Sequence, residues 1–255
     1  VTLEDVNIDV NVGASGFVYK AAMSVQGEGD TTVKLKGDNT LKSGRFHAGL
    51  EKNDKTSTGK LTITADSTQD SLLAVGSTNG AGIGATGDSA SNLVIEGGTI
   101  TAIGGYYAAG IGGGYAGSGE VTITGNAVIK KAQGDYNGAG IGGGGTGKNG
   151  KGDGKVIISG NAIIEEAIGP TNNARGAAGI GGSSWATGEV TISGNAKVNA
   201  EGGTASAGIG GGTYGTGKVT IMDNAEVIAK GGKGRSENKG DGAAIGNGGK
   251  DNNVK

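Results

Sequence analysis

The sequence predicts an all-β fold, a right-handed parallel β-helix with three sides and about eight coils, spanning 1–255 as a single domain. Three observations predict it. A strand-like unit recurs as "VTITGNAVIKKAQG" (121–134), "VIISGNAIIEEAIG" (156–169), "VTISGNAKVNAEGG" (190–203) and "VTIMDNAEVIAKGG" (219–232). A nearly bare motif alternates with it: "GAGIGAT" (80–86), "AAGIGGG" (108–114), "GAGIGGG" (138–144), "AAGIGGS" (177–183) and "SAGIGGG" (206–212). No stretch has helical periodicity, and the 28 to 35 residues between successive "VTI" rungs hold three short β-prone pieces, too few residues for a four-stranded propeller blade.

Looser copies precede these: "VTLEDVNIDV" (1–10), "TVKLKGDNTLKSG" (32–44), "LTITADSTQDSLLAVG" (61–76) and "LVIEGGTITAIGG" (93–105), which brings the rungs to eight. In "VTI" the alternation turns Val and Ile inward and Thr outward. Applied to "AGIG", it turns Ala109, Ile111, Ala139, Ile141, Ala207 and Ile209 inward, with Ile111, Ile141 and Ile180 in one stack. Gly110, Gly112 and their equivalents then face outward as flat bare backbone over at least five coils, unless they serve only tight corners. Asn126, Asn161, Asn195 and Asn224 share a turn slot that needs left-handed φ or side-chain bonding, and their amides can stack as a ladder. Charges alternate between coils. Glu120, Lys155, Glu189 and Lys218 form one column, and Lys130 meets Glu165, Lys131 meets Glu166 and Lys197 meets Glu226.

Composition narrows the function. The 59 glycines alone suggest a linker, but the regular return of Val, Ile and Leu marks a repeat array. A net charge of −2 gives no electrostatic reason to expect nucleic acid, and no apolar run is long enough for membrane insertion. The opening strand, and the absence of a strand after "AAIGNGG", read as a piece of a longer chain, with 233–241 and 250–255 flexible.

Catalytic inventory is thin: one histidine, His47, no cysteine, and Arg45, Arg175 and Arg235 in separate turns. No carboxylate pair or calcium-holding Asp cluster is evident, so no enzyme, cofactor or metal is expected. "GTGKNGKG" (145–152) and "GTYGTGKV" (212–219) lack the Ser or Thr and the helix of a phosphate loop. The aromatics are the candidate ligand-binding residues. Tyr106, Tyr107 and Tyr136 precede AGIG elements, and Tyr115, Trp185 and Tyr214 follow them, placing both groups on the rims of the glycine face, where rings can stack on sugars or shield the core. The last three are expected on one edge. Thr62 with Thr64, Thr122 with Thr124, and Thr191 with Ser193 also suggest the hydroxyl grid of an ice-binding solenoid, though Lys34, Val94, Ile157 and Met222 break it.

"NTLKSGRFHAGL", "GKLTIT", "VIEGGTITA" and the AGIGGG series resemble the glycine-rich β-helical domains of secreted and wall-attached proteins of Gram-positive, often gut, bacteria, commonly described as carbohydrate-binding-like. The resemblance covers nearly the whole chain. It implies an extracellular location, at the cell surface or secreted, and adhesion or glycan binding. Calcium-containing members of that group carry Asp before the Gly-Ile; Ala81, Ala109, Ala139, Ala178 and Ala207 stand there, so calcium sites are not carried over. The combined expectation is a monomeric, non-catalytic adhesion module with polysaccharide or surface glycan as partner. The alternative is a structural stalk, and an ice-binding solenoid comes third.

Overall fold

Alternating β-branched residues build the coils. In the computed structural model, which describes residues 1–10, 18–146, 152–172, 176–235 and 240–250, every coil contributes one strand to each of three parallel eight-stranded sheets, wound as a right-handed β-helix. Arg175, most of "GTGKNGKG", and residues 236–239 and 251–255 of the segments read as flexible lie outside the described residues.

The first sheet carries the "VTI" rungs, for example Gly119–Ile123, Gly154–Ile158 and Gly188–Ile192. The second carries the run after the asparagine, as in Val128–Gln133 and Lys197–Glu201, and the third is made of two-residue strands such as Ile111–Gly112 and Ile141–Gly142. Like residues stack: Val121 on Val156 on Val190, and Ile111 on Ile141 on Ile180. All of them are buried. Each large aliphatic side chain taken from water contributes about 1.5–3 kcal/mol. The outward faces are mixed, and one column of the first sheet reads Thr62, Val94, Thr122, Ile157, Thr191 and Thr220.

The corner between the first and second sheets is made by Gly-Asn-Ala. The left-handed residue is not the asparagine but the one before it: Gly125, Gly160, Gly194 and Asp223 have φ of 64°, 68°, 70° and 60°. The asparagines supply the ladder. Asn161 donates to Asn126 (3.1 Å), Asn195 to Asn161 (3.1 Å) and Asn224 to Asn195 (3.2 Å), on the exposed edge of the corner and not in an interior. Ion pairs join Lys155 to Glu120 (2.7 Å), Lys218 to Glu189 (3.0 Å), Lys131 to Glu166 (3.9 Å) and Lys197 to Glu226 (3.3 Å). Lys130 and Glu165 share a register step, but no ion pair joins them among the described residues; the neighbouring Lys131–Glu166 pair serves that step.

The bare glycine face is absent. Gly110 and Gly112 are buried, as are their equivalents in the neighbouring AGIG motifs. The motif is a narrow hairpin that points inward: the Ala109 amide donates to the Gly113 carbonyl (3.0 Å), and the same bond closes residues 81–85, 139–143, 178–182 and 207–211. Its tip, Ile111, reaches the core, while its flanks press on backbone. A Cβ on Gly110 would lie 2.6 Å from the Gln133 nitrogen, and one on Gly112 2.2 Å from the Gly142 oxygen. The glycines therefore serve close backbone approach at tight corners.

Candidate functional site

Four-residue turns flank the inward hairpins, as Gly105–Ala108 and Gly114–Gly117 flank the hairpin at Ile111, and these lobes stack coil on coil as a ridge along the solenoid. Hydrogen bonds knit the lobes, as from the Tyr115 amide to the Asn79 carbonyl (3.0 Å). Each lobe turns through four residues whose third, in most coils, has positive φ, a position that ordinarily calls for Gly or Asn. Asn79 and Gly87 meet that expectation at φ 68° and 57°. Elsewhere the left-handed residues are alanine, at Ala116 (62°) and Ala205 (51°), or aromatic: Phe46 (60°), Tyr107 (70°), Trp185 (65°), Tyr214 (62°) and Tyr136 (55°), the last being second in its turn.

The six aromatics singled out by sequence gather in two clusters on this ridge. Tyr106 lies 4.3 Å from Tyr107 and 4.4 Å from Tyr136 between ring centroids, and Tyr107 lies 5.4 Å from Tyr115. Trp185 and Tyr214 stack at 4.1 Å with 19° between planes. Tyr115 thus joins the first cluster and does not share an edge with Trp185 and Tyr214. The turns explain it: Trp185 and Tyr214 are third in their turns, Ser183–Ala186 and Gly212–Gly215, whereas Tyr115 is second in Gly114–Gly117 and Ala116 takes the left-handed slot. The residues aligned with Tyr115 are the buried Ser184 and Thr213. Tyr106, Tyr115 and Trp185 are 40%, 39% and 40% exposed, so these rings are presented to solvent. Removal of water by the surrounding rings, helped by hydrogen bonds to Tyr136 and Tyr107, pushes the Tyr106 hydroxyl above the ordinary tyrosine pKa.

A third aromatic group, a pair, escaped the sequence reading. Tyr19 stacks with Phe46 at 5.9 Å, and the Arg45 guanidinium sits 5.0 Å from the Phe46 centroid. Its signal was present, since Phe46 precedes "AGL" as the tyrosines precede "AGIG". His47 lies nearby. Its Nδ1 is 2.7 Å from Glu51 Oε2, which also accepts from the Thr86 hydroxyl (2.9 Å). Glu51 occupies the register of Gly84, and the buried Lys52 beside it donates to the Ser57 carbonyl (2.9 Å). These groups fasten the second coil where the glycine pattern lapses.

At the foot of the ridge, where the lobes re-enter the first sheet, runs a cavity of about 550 Å³. It spans residues from Asp54 to Glu189, contributed by five successive coils, and neither aromatic cluster lines it. Sequence reasoning missed it because each coil supplies only one to three unremarkable residues.

Nothing among curated proteins or solved structures matches the chain. Three stretches, residues 93–115, 121–145 and 190–213, match the family model described as Beta helix repeat, in agreement with the repeating coils of the structure.

Proposed function

We propose that this solenoid is a non-catalytic, extracellular binding and adhesion module whose ligand is a polysaccharide, held at the aromatic ridge. The observation that carries this reading is the occupation of left-handed turn positions by Trp185 and Tyr214. A bulky residue there costs about 1–2 kcal/mol of backbone strain that glycine would not incur. Such strain is retained where the side chain has a use, and a ring held on a rigid scaffold is suited to stacking on sugar C–H faces. The resemblance to carbohydrate-binding-like domains points the same way.

The competing reading is a stalk in which the rings shield the corners. Stability separates the two. Replacing Trp185 and Tyr214 with Gly relieves strain while removing a ring stack and restoring chain entropy to the unfolded state, so a binding role leaves stability within about 1 kcal/mol of the parent. A shielding role costs the 3–5 kcal/mol or so typical of large core truncations. The double variant is expected to melt near the parent and to lose retention on polysaccharide columns. Large destabilisation, or no retention by the parent on any glycan, would establish the stalk.

A further inference from the structure

We propose that the groove at the foot of the ridge is a second, separate binding site, taking an extended chain of neutral or amino sugars along the solenoid axis. This rests on the glycan-binding reading and adds a location and a ligand class to it.

The groove is built, not incidental. It opens beside a β-bulge in Ala90–Ile95: Ala90 pairs with Gly119 and Leu93 with Val121, so Ser91 and Asn92 together oppose Glu120. Asn92 takes φ 53° to make room, and Ser91 is turned so that its amide and hydroxyl both donate to Asp54 (2.8 and 2.9 Å). Bulges are frequent beside binding sites because they re-aim side chains and open a sheet margin. The floor is made of the small residues Ala90, Gly119 and Gly154, which leaves depth. A volume of 550 Å³ falls within the range of ligand sites.

Its dimensions select a linear polymer. Five coils at ~4.8 Å per step give about 19 Å of length. Every step offers polar groups at the same height, Ser89, Ser118 and Thr187 among them, and a pyranose chain repeats its hydroxyls at a comparable interval. An extended peptide fits less well. Peptides dock on sheets by pairing with a free strand edge, and this groove crosses strands that are already paired on both sides.

Charge selects the kind of sugar. Among the described residues the lining holds Asp54, Glu120, Asp153 and Glu189 against Lys155, while Lys218 pairs with Glu189 (3.0 Å) and Lys52 with Asp54 (3.5 Å) from outside it, so one carboxylate remains in excess. Lys155 is engaged by Glu120 at 2.7 Å, and Asp153, which accepts from the Thr187 amide, carries the excess charge. A uronate-rich chain would therefore meet like charge, whereas amino sugars gain attraction and neutral sugars gain charge-assisted hydrogen bonds.

The test uses the whole chain, with cellulose, chitosan and polygalacturonate as probes. Thr187→Trp fills the Glu189 end of the groove from an exposed position; Asp153→Asn removes a charge while keeping the acceptor for the Thr187 amide (2.7 Å). The parent is expected to be retained by cellulose and chitosan and not by polygalacturonate. Thr187→Trp should lose about tenfold or more in affinity for both, at unchanged melting temperature. Asp153→Asn should weaken chitosan more than cellulose. If the parent binds but Thr187→Trp matches it while the Trp185 and Tyr214 variant fails, the groove proposal falls and the ridge stands. Preference for polygalacturonate, or retention of an extended basic peptide and no glycan, overturns the ligand class. Binding to no glycan at all removes both proposals.

Discussion

Single side chains in this molecule act mainly on their copies one coil away. Asn161 donates to Asn126 and accepts from Asn195, so Asn161→Ala removes two amide bonds and is expected to cost about 1–2 kcal/mol, read from chemical denaturation. The ion pairs add a pH signature. Lys218, by hydrogen bond and charge, holds the Glu189 carboxyl below its ordinary pKa, so its contribution is complete above the unfolded carboxylate value and is lost as pH falls through the lower folded one. Glu120 raises Lys155 in the same manner; that contribution is complete below the unfolded lysine value and disappears as pH rises through the folded one. Melting temperature should therefore hold level through neutrality and fall at both extremes. Glu189→Gln should shallow the acid limb between about pH 5 and 3, checked by melts across that range. Both ladders were legible in the sequence because like positions recur at a fixed offset. The Tyr115 alignment was not, since a one-residue shift within a turn decides which slot a ring occupies, and spacing from Ile111 does not reveal that shift.

Among elements, the inward hairpin departs most from what alternation implies. Period-two reasoning assumed that "AGIG" runs extended, which would leave every second residue facing solvent. The chain extends for only two residues there before both flanks turn away, and the glycines end up against neighbouring backbone. The inward Ile was legible from its recurrence; the surroundings of the glycines depend on lobes that sequence periodicity does not describe. Two alanine substitutions measure the difference. At Gly142, φ is 129° and a Cβ would lie 2.1 Å from the Gly181 oxygen, so Gly142→Ala is expected to cost about 4 kcal/mol or more. At Gly87, φ is 57° and no atom lies within 4 Å of the added carbon, so Gly87→Ala should cost about 1 kcal/mol. Equal losses in denaturation would contradict the hairpin.

The whole molecule is a one-dimensional stack, in which each coil is stabilised by the two beside it. Ile141 is fully buried between Ile111 and Ile180, and Ile141→Asp would place an uncompensated charge there. Amide hydrogen exchange should show protection lost first in the coils around residue 141 and retained longest at a distance. Uniform loss would mean that the array folds as one indivisible unit.

The bulge at Asn92 has a mechanical consequence. When such a stack is pulled along its axis, the coil-to-coil junctions carry the load in series and the weakest one yields. In the first sheet the junction between Leu61–Ala65 and Ala90–Ile95 is held by three paired residues, against five between Gly154–Ile158 and Gly188–Ile192. The rod's interior should part first at that junction under tension, and the groove lies across it, with Asp54 on one side and Glu120 on the other. A polymer lodged there would splice the rod at its own weak joint, so that a tethered domain would withstand more force when gripping its ligand than when empty.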